Sequence, residues 1–128
     1  MRLLLDTHVL LWWLLDDSRL LAAARAALAD GSNTILVSAA SAWEVAIKAS
    51  LGKLPLPPEA EARIADAVVE AGFIQLPVTF AHAAGVRTLP WRHRDPFDRL
   101  LVARSKVEGL TLVTGDSALG LYGVDLLW

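Results

Sequence analysis

Arg2-Leu3-Leu4-Leu5-Asp6 places three consecutive leucines at the start of the chain and closes them with an acid. A half-exposed strand alternates apolar and polar residues, whereas a short unbroken apolar run fits a strand buried on both faces. Such strands belong to parallel sheets covered by helices. The rest of the chain supports that reading. Residues 9–15 read as a short apolar helix, and Ser18 is placed to cap a second, Leu/Ala-rich helix that stops near Gly31. Thr34–Ser38 is the next strand, followed by a helix over 40–50 that Gly52 ends. Pro55, Pro57 and Pro58 mark a turn, and 59–71 is helical with Gly72 behind it. Residues 73–78 form a strand broken by Pro77, 79–87 a helix and 89–94 a loop. Asp95-Pro96 supplies an N-cap and a proline at the first helical position, for a helix to Glu108 that Gly109 terminates. Strands over 110–114 and 124–127 complete the pattern, which predicts an α/β fold with a central, mostly parallel sheet. With no repeat or linker, the 128 residues are expected to form one domain, 1–128.

Apolar residues make up 55% of the chain, enough for a well-filled core with apolar surface left for a partner. The absence of cysteine excludes disulfides, thiolate metal sites and cysteine nucleophiles. Asp6 and His8 interrupt the apolar run 3–15, which is shorter than the roughly 20 residues of a membrane span. Neither export nor a membrane role is expected, and a cytoplasmic setting fits. The net charge of −2 gives no nucleic-acid signal, but its distribution does. Between residues 87 and 106, Arg87, Arg92, Arg94, Arg99, Arg104 and Lys106 face only Asp95 and Asp98. That stretch is either a solvated helix face or a phosphate-binding patch on an otherwise acidic chain.

Four acids stand apart from those in turns and on helix surfaces. Asp6 and Asp116 each follow a predicted strand, where ligands bind in open parallel sheets. Each also has an ordinary reading, Asp6 as the cap of the next helix and Asp116 as part of the Gly115-Asp116-Ser117 turn. Glu44 matches a capping box with Ser41. Yet it lies in a helix apolar nearly all round, where a buried carboxylate needs a partner such as Lys48 or a metal ion. Asp98 is the third residue of the helix that Asp95 caps, and both acids suit its dipole. If the loop 89–94 returns to the same sheet edge, all four carboxylates crowd one crevice. Such a cluster repels itself unless cations neutralise it, and an all-oxygen donor set favours Mg²⁺ or Mn²⁺.

The chain resembles the PIN-domain ribonucleases and, more narrowly, the VapC-like toxins of bacterial and archaeal toxin–antitoxin pairs. The resemblance is carried by Leu3-Leu4-Leu5-Asp6-Thr7-His8-Val9-Leu10-Leu11-Trp12, by Ser38-Ala39-Ala40-Ser41-Ala42-Trp43-Glu44-Val45-Ala46-Ile47-Lys48, and by Leu51-Gly52-Lys53-Leu54. It continues in Asp95-Pro96-Phe97-Asp98-Arg99-Leu100-Leu101-Val102-Ala103, Leu112-Val113-Thr114-Gly115-Asp116 and Tyr122-Gly123-Val124. It implies a PIN-like three-layer α/β/α sandwich and makes Asp6, Glu44, Asp98 and Asp116 the metal-binding, catalytic acids. Thr7 and Thr114 would be hydroxyl-bearing neighbours. Asp95 is a second candidate beside Asp98, which matches the family's third acid. Gly115 stands where the family often has arginine, which removes a cation that could touch phosphate or the antitoxin.

The implied activity is Mg²⁺- or Mn²⁺-dependent endonucleolytic hydrolysis of RNA, with an antitoxin protein as partner and a homodimer as the expected assembly. Lys48, Arg92, Arg94 and Arg99 are candidate phosphate contacts, and Trp91 a base-stacking residue. His8, His82 and His93 are read as surface or packing residues. Adjacent Trp12 and Trp13 are not expected to face one core together, which leaves one for a partner. Two rivals are a non-catalytic PIN-like module that binds RNA or protein, and a phosphotransfer enzyme with Asp6 as nucleophile. The latter lacks a second acid two residues after Asp6 and a clear catalytic lysine.

Overall fold

The computed structural model describes residues 1–54 and 56–128. Pro55, one of the three expected turn prolines, lies outside the described residues, as do the side chains of Ala60 and Glu61. Five strands form one sheet: β1 (Arg2–Leu5), β2 (Thr34–Ser38), β3 (Ile74–Leu76), β4 (Thr111–Val113) and β5 (Leu126–Leu127). Their order is β3-β2-β1-β4-β5, and every pairing is parallel. Among the described residues seven α-helices accompany them: α1 (Thr7–Leu14), α2 (Ala22–Ala29), α3 (Ala39–Ser50), α4 (Pro58–Ala62), α5 (Ile64–Glu70), α6 (Phe80–Gly85) and α7 (Pro96–Glu108).

The leucine run explains the layering. Successive strand side chains point to opposite faces. Leu3 and Leu5 join Ile35, Val37 and Val113 in one core, closed by Val9, Leu10, Ala24, Leu28 and Val68 from α1, α2 and α5. Leu4 joins Leu36 and Leu112 in a second core, closed by Leu101, Val102 and Ala103 of α7. The result is the three-layer sandwich, with a sheet wholly rather than mostly parallel. Two successive connections carry the chain from β1 to β2 to β3; the next returns across the sheet to β4, beside β1. The strand order therefore reverses between β1 and β4, and a crevice opens beyond their carboxyl ends.

Several local expectations change. Leu21, not Ser18, precedes the first turn of α2, and its side chain makes no cap bond. The helix expected over 59–71 is broken at Arg63 into α4 and α5, and that over 79–87 is α6 followed by a 3₁₀ turn at Val86–Thr88. Trp12 and Trp13 pack against the same core: Trp13 meets Phe73 at 5.8 Å and Trp12 meets Trp128 at 5.6 Å. Adjacent helical side chains diverge by about 100°, so the two rings cover opposite flanks of one core. No described helix is long and apolar enough to cross a membrane.

Leu4 is fully buried in the central strand. Leu4→Ala is expected to cost about 2–5 kcal/mol, read as a lower urea midpoint at unchanged slope. A loss below 1 kcal/mol would mean that the two cores are not separated by a rigid sheet.

Candidate metal centre

Asp6 leaves β1 at the switch point and serves as the N-cap of α1. Its Oδ1 accepts from Val9 N at 2.8 Å, and its Oδ2 accepts from Thr114 Oγ1 at 2.5 Å. Thr114 Oγ1 also accepts from Asp116 N at 3.0 Å, so one hydroxyl joins the exits of β1 and β4. Burial raises the Asp6 pKa, against the opposing effect of these hydrogen bonds and of nearby His8. The two readings of Asp6 are thus one: it caps the helix and faces the crevice.

Glu44 is buried on α3, which packs against both α1 and α7. The capping box expected from Ser41 is not formed. Ser38 is the cap, accepting from Ala40 N at 2.9 Å, while Ser41 Oγ is buried without a partner among the described residues. Because β2 runs directly into α3, the helix starts earlier than its apolar pattern implies. Glu44 is consequently free of capping and accepts instead from Thr7 Oγ1 at 2.5 Å and Lys48 Nζ at 2.7 Å.

The loop before α7 does return to this edge. Asp95 caps α7, its Oδ1 accepting from Phe97 N and Asp98 N, which leaves Asp98 one turn in and turned towards the other acids. The Asp98 carboxylate is three-quarters buried and accepts no hydrogen bond among the described residues. Its pKa is pushed up to about 7, first by burial and then by the charges of Asp95, Asp6 and Glu44, with His93 opposing. Asp116 Oδ1 accepts from Ala118 N at 3.0 Å, and Oδ2 lies 3.0 Å from His93 Nε2.

Asp6, Asp98 and Asp116 line an open depression of about 500 Å³, with His8, Trp12, Gly115 and Trp128. Donor atoms of His93, Asp98 and Asp116 lie within 4.8 Å of one another. Glu44 is not in the lining; it stands behind Thr7, near enough to raise the pKa of both Asp6 and Asp98. The residues fit a hard divalent cation. They offer carboxylate oxygens, and Asp98 is a largely desolvated acid with no proton donor of its own.

His93 was placed by its sequence among surface or packing residues, and that expectation is corrected: it reaches between Asp98 and Asp116. The available signal was its position two residues before the α7 cap. His82 is a packing residue as expected, buried and bonded to Glu108 at 2.8 Å, and His8 is exposed.

The basic patch is also smaller than expected. Arg104 is fully buried, donating to Ser38 Oγ and to the carbonyls of Leu76 and Pro77, and burial lowers its pKa to about 10. Arg99 is buried too. Its guanidinium donates to Pro90 O and the Tyr122 hydroxyl, lies near the carbonyls of Val86 and Leu89, and sits 3.9 Å from the Trp91 ring centre. Neither is available to phosphate, because each guanidinium is buried and already donates to carbonyl and hydroxyl oxygens of the surrounding loops. Arg92 and Arg94 remain exposed, as does Trp91. Lys48 is engaged by Glu44. At Gly115 a Cβ would meet the Trp128 indole at 3.1 Å, so tryptophan fills the space of the side chain expected there.

The family described as "PIN domain" matches residues 3–124. The chain belongs to the PIN domain family. Over 60 residues it is 47% identical to Ribonuclease VapC16 of Mycobacterium tuberculosis, a match covering 47% of this chain and 43% of that protein. In fold the chain is similar to the structure of VapBC2 from Rickettsia felis bound to a DNA fragment from their promoter. The TM-score is 0.75 at 16% identity, over 99% of this chain and 98% of that one. The VapBC-1 structure from nontypeable Haemophilus influenzae gives a TM-score of 0.71 at 14% identity, over 99% and 97%. At these identities the likeness is one of fold. For this PIN domain it places the overall α/β fold among established structures.

Two predictions follow from this geometry. The Asp98 pKa is raised on folding, so the native state holds a proton that the unfolded chain releases above about pH 4. The stability from protonated Asp98 is complete in acid and is lost as pH rises through about 7. Metal-free protein should therefore have a higher Tm at pH 5 than at pH 8, and Asp98→Asn should flatten that slope; an equal slope in both proteins contradicts the assignment. Second, Arg99→Ala should destabilise the fold by about 1–3 kcal/mol, since it removes a buried side chain and its contact with the buried Leu89 carbonyl. Arg92→Ala and Arg94→Ala should leave Tm within about a degree of wild type. Denaturation of the three variants separates buried from solvated arginines.

Proposed function

We propose that this PIN domain is a divalent-cation-dependent endoribonuclease and the toxin of a VapBC-type toxin–antitoxin pair. The observation that carries the reading is Asp98: a largely buried carboxylate with no hydrogen-bond donor, facing Asp6, Asp116 and Glu44. The carboxylates repel one another there, and a bound cation would relieve that repulsion. Further support comes from the ribonuclease named among its relatives and from the VapBC structures that share its fold.

In the proposed arrangement Asp6, Asp98 and Asp116 hold Mg²⁺ or Mn²⁺, with Glu44 behind them. Such a cation, when bound, supplies Lewis-acid activation of the scissile phosphate and of the attacking water. The chain's own residues do the rest. Thr114 and Val9 N orient Asp6, and Thr7 and Lys48 orient Glu44. Exposed Arg92 and Arg94 draw the RNA backbone to the depression, and Trp91 offers a free face for stacking. Residues 1–128 form one PIN domain, which works in the cytoplasm as a homodimer. The antitoxin brings a basic and apolar segment to the acidic depression and blocks it.

Purified protein should cleave single-stranded RNA only with Mg²⁺ or Mn²⁺ and lose activity in excess chelator. Asp6→Asn and Asp98→Asn should each lower the rate by more than about 100-fold at unchanged fold. Expression of wild type without a partner should arrest growth, and expression of Asp6→Asn should not. Full cleavage in excess chelator would overturn the mechanism. Harmless high-level expression of active enzyme would overturn the toxin role alone.

A further inference from the structure

We infer that His93 is a positioning residue of the candidate centre: it carries its proton on Nε2, holds the Asp116 carboxylate towards the cation site, and does not itself ligate the cation. The inference rests on the proposed reading of Asp6, Asp98 and Asp116 as a cation site. It concerns a residue outside the four acids.

The tautomer follows from what surrounds the ring. His93 Nδ1 lies 3.1 Å from the backbone nitrogen of Asp95, a group that can only donate. Nδ1 must therefore accept, and the proton of the neutral ring is on Nε2. Nε2 lies 3.0 Å from Asp116 Oδ2 and 3.6 Å from Asp98 Oδ2, so its N–H points between two carboxylates and donates to the nearer. A nitrogen that carries a proton has no lone pair for a metal. The other tautomer would free Nε2 but set Nδ1–H against the Asp95 N–H.

That Asp95 N–H is not free to turn away. Asp95 is the cap of α7 and is fixed by its own bonds to Phe97 N and Asp98 N. The loop behind the ring is held as well: Arg99 donates to Pro90 O, and Arg92 N donates to the Tyr122 hydroxyl at 3.2 Å. The far oxygen of Asp116 is occupied by Ala118 N. Each Asp116 oxygen thus takes one N–H and keeps a lone pair, the form in which an oriented carboxylate binds a hard cation. The imidazole contributes direction to Asp116, while the carboxylates contribute the charge.

The test is Mn²⁺ binding to the purified protein, followed by electron paramagnetic resonance for affinity and for nitrogen coupling. Four variants are compared with wild type: His93→Leu, His93→Gln, Asp98→Asn and Asp116→Asn. Wild type should bind Mn²⁺ without the coupling of a directly coordinated imidazole. His93→Leu should weaken binding by about 10- to 100-fold. His93→Gln, which can present an amide N–H near the Nε2 position, should recover most of that loss. Coordinated-imidazole coupling in wild type that disappears in His93→Leu would make His93 a ligand and overturn the inference. Equal affinity in wild type and His93→Leu would overturn it as well, and so would failure of His93→Gln to recover binding while its melting temperature matches wild type. Loss of binding in Asp98→Asn and Asp116→Asn establishes the cation site independently of His93. Absence of Mn²⁺ binding in wild type overturns the site and the inference together.

Discussion

Carboxylates gathered at the end of a hydrophobic sheet repel one another and lose their water, and the arrangement around this site answers that constraint. The order reversal between β1 and β4 brings Asp6 and Thr114 side by side, and the Thr114 hydroxyl joins them by one short bond. From there the acids divide into those with donors and the one without. Asp6 has Val9 N and Thr114, Glu44 has Thr7 and Lys48, and Asp116 has Ala118 N and His93. Asp98 has none among the described residues, and burial, followed by the charges of Asp95 and Asp6, raises its pKa.

Two buried guanidiniums give the frame its rigidity. Arg104 holds the cap of α3 to the end of β3, and Arg99 gathers the carbonyls of the loop before α7. Neither is paired with a carboxylate. Each is solvated by carbonyl and hydroxyl oxygens instead, so neither compensates the acids at the crevice. Both arginines belong to α7, the helix that carries Asp98. The element that brings the least satisfied acid to the site therefore also fastens the neighbouring segments around it.

The fold was largely legible because its signals are local. Leu3-Leu4-Leu5 required burial on two faces, Asp95-Pro96 marked a helix start, and Gly109 marked its end with a φ of 65°. The placement of the acids at strand exits also pointed to one crevice. Less legible were the features in which one side chain has two suitable partners. Ser38 and Ser41 are both plausible caps, and the direct run of β2 into α3 selects Ser38. Arg99 and Arg104 look like a basic patch when counted along the chain. On α7 they project inward, a direction that only the packed sheet and the neighbouring carbonyls define.

The sequence by itself determined the parallel sheet, the helices on both its faces and the set of acids at its carboxyl edge. These depend on hydrophobic period and on residues adjacent in the chain. Tertiary structure alone decided that Glu44 answers to Thr7 and Lys48 rather than to a cap, that Trp128 fills the space beside Gly115, and that His93 stands between Asp98 and Asp116. Hydrogen bonds and packing contacts act over a few ångströms. Partners separated by tens of residues acquire them only after the strands have set which loops meet.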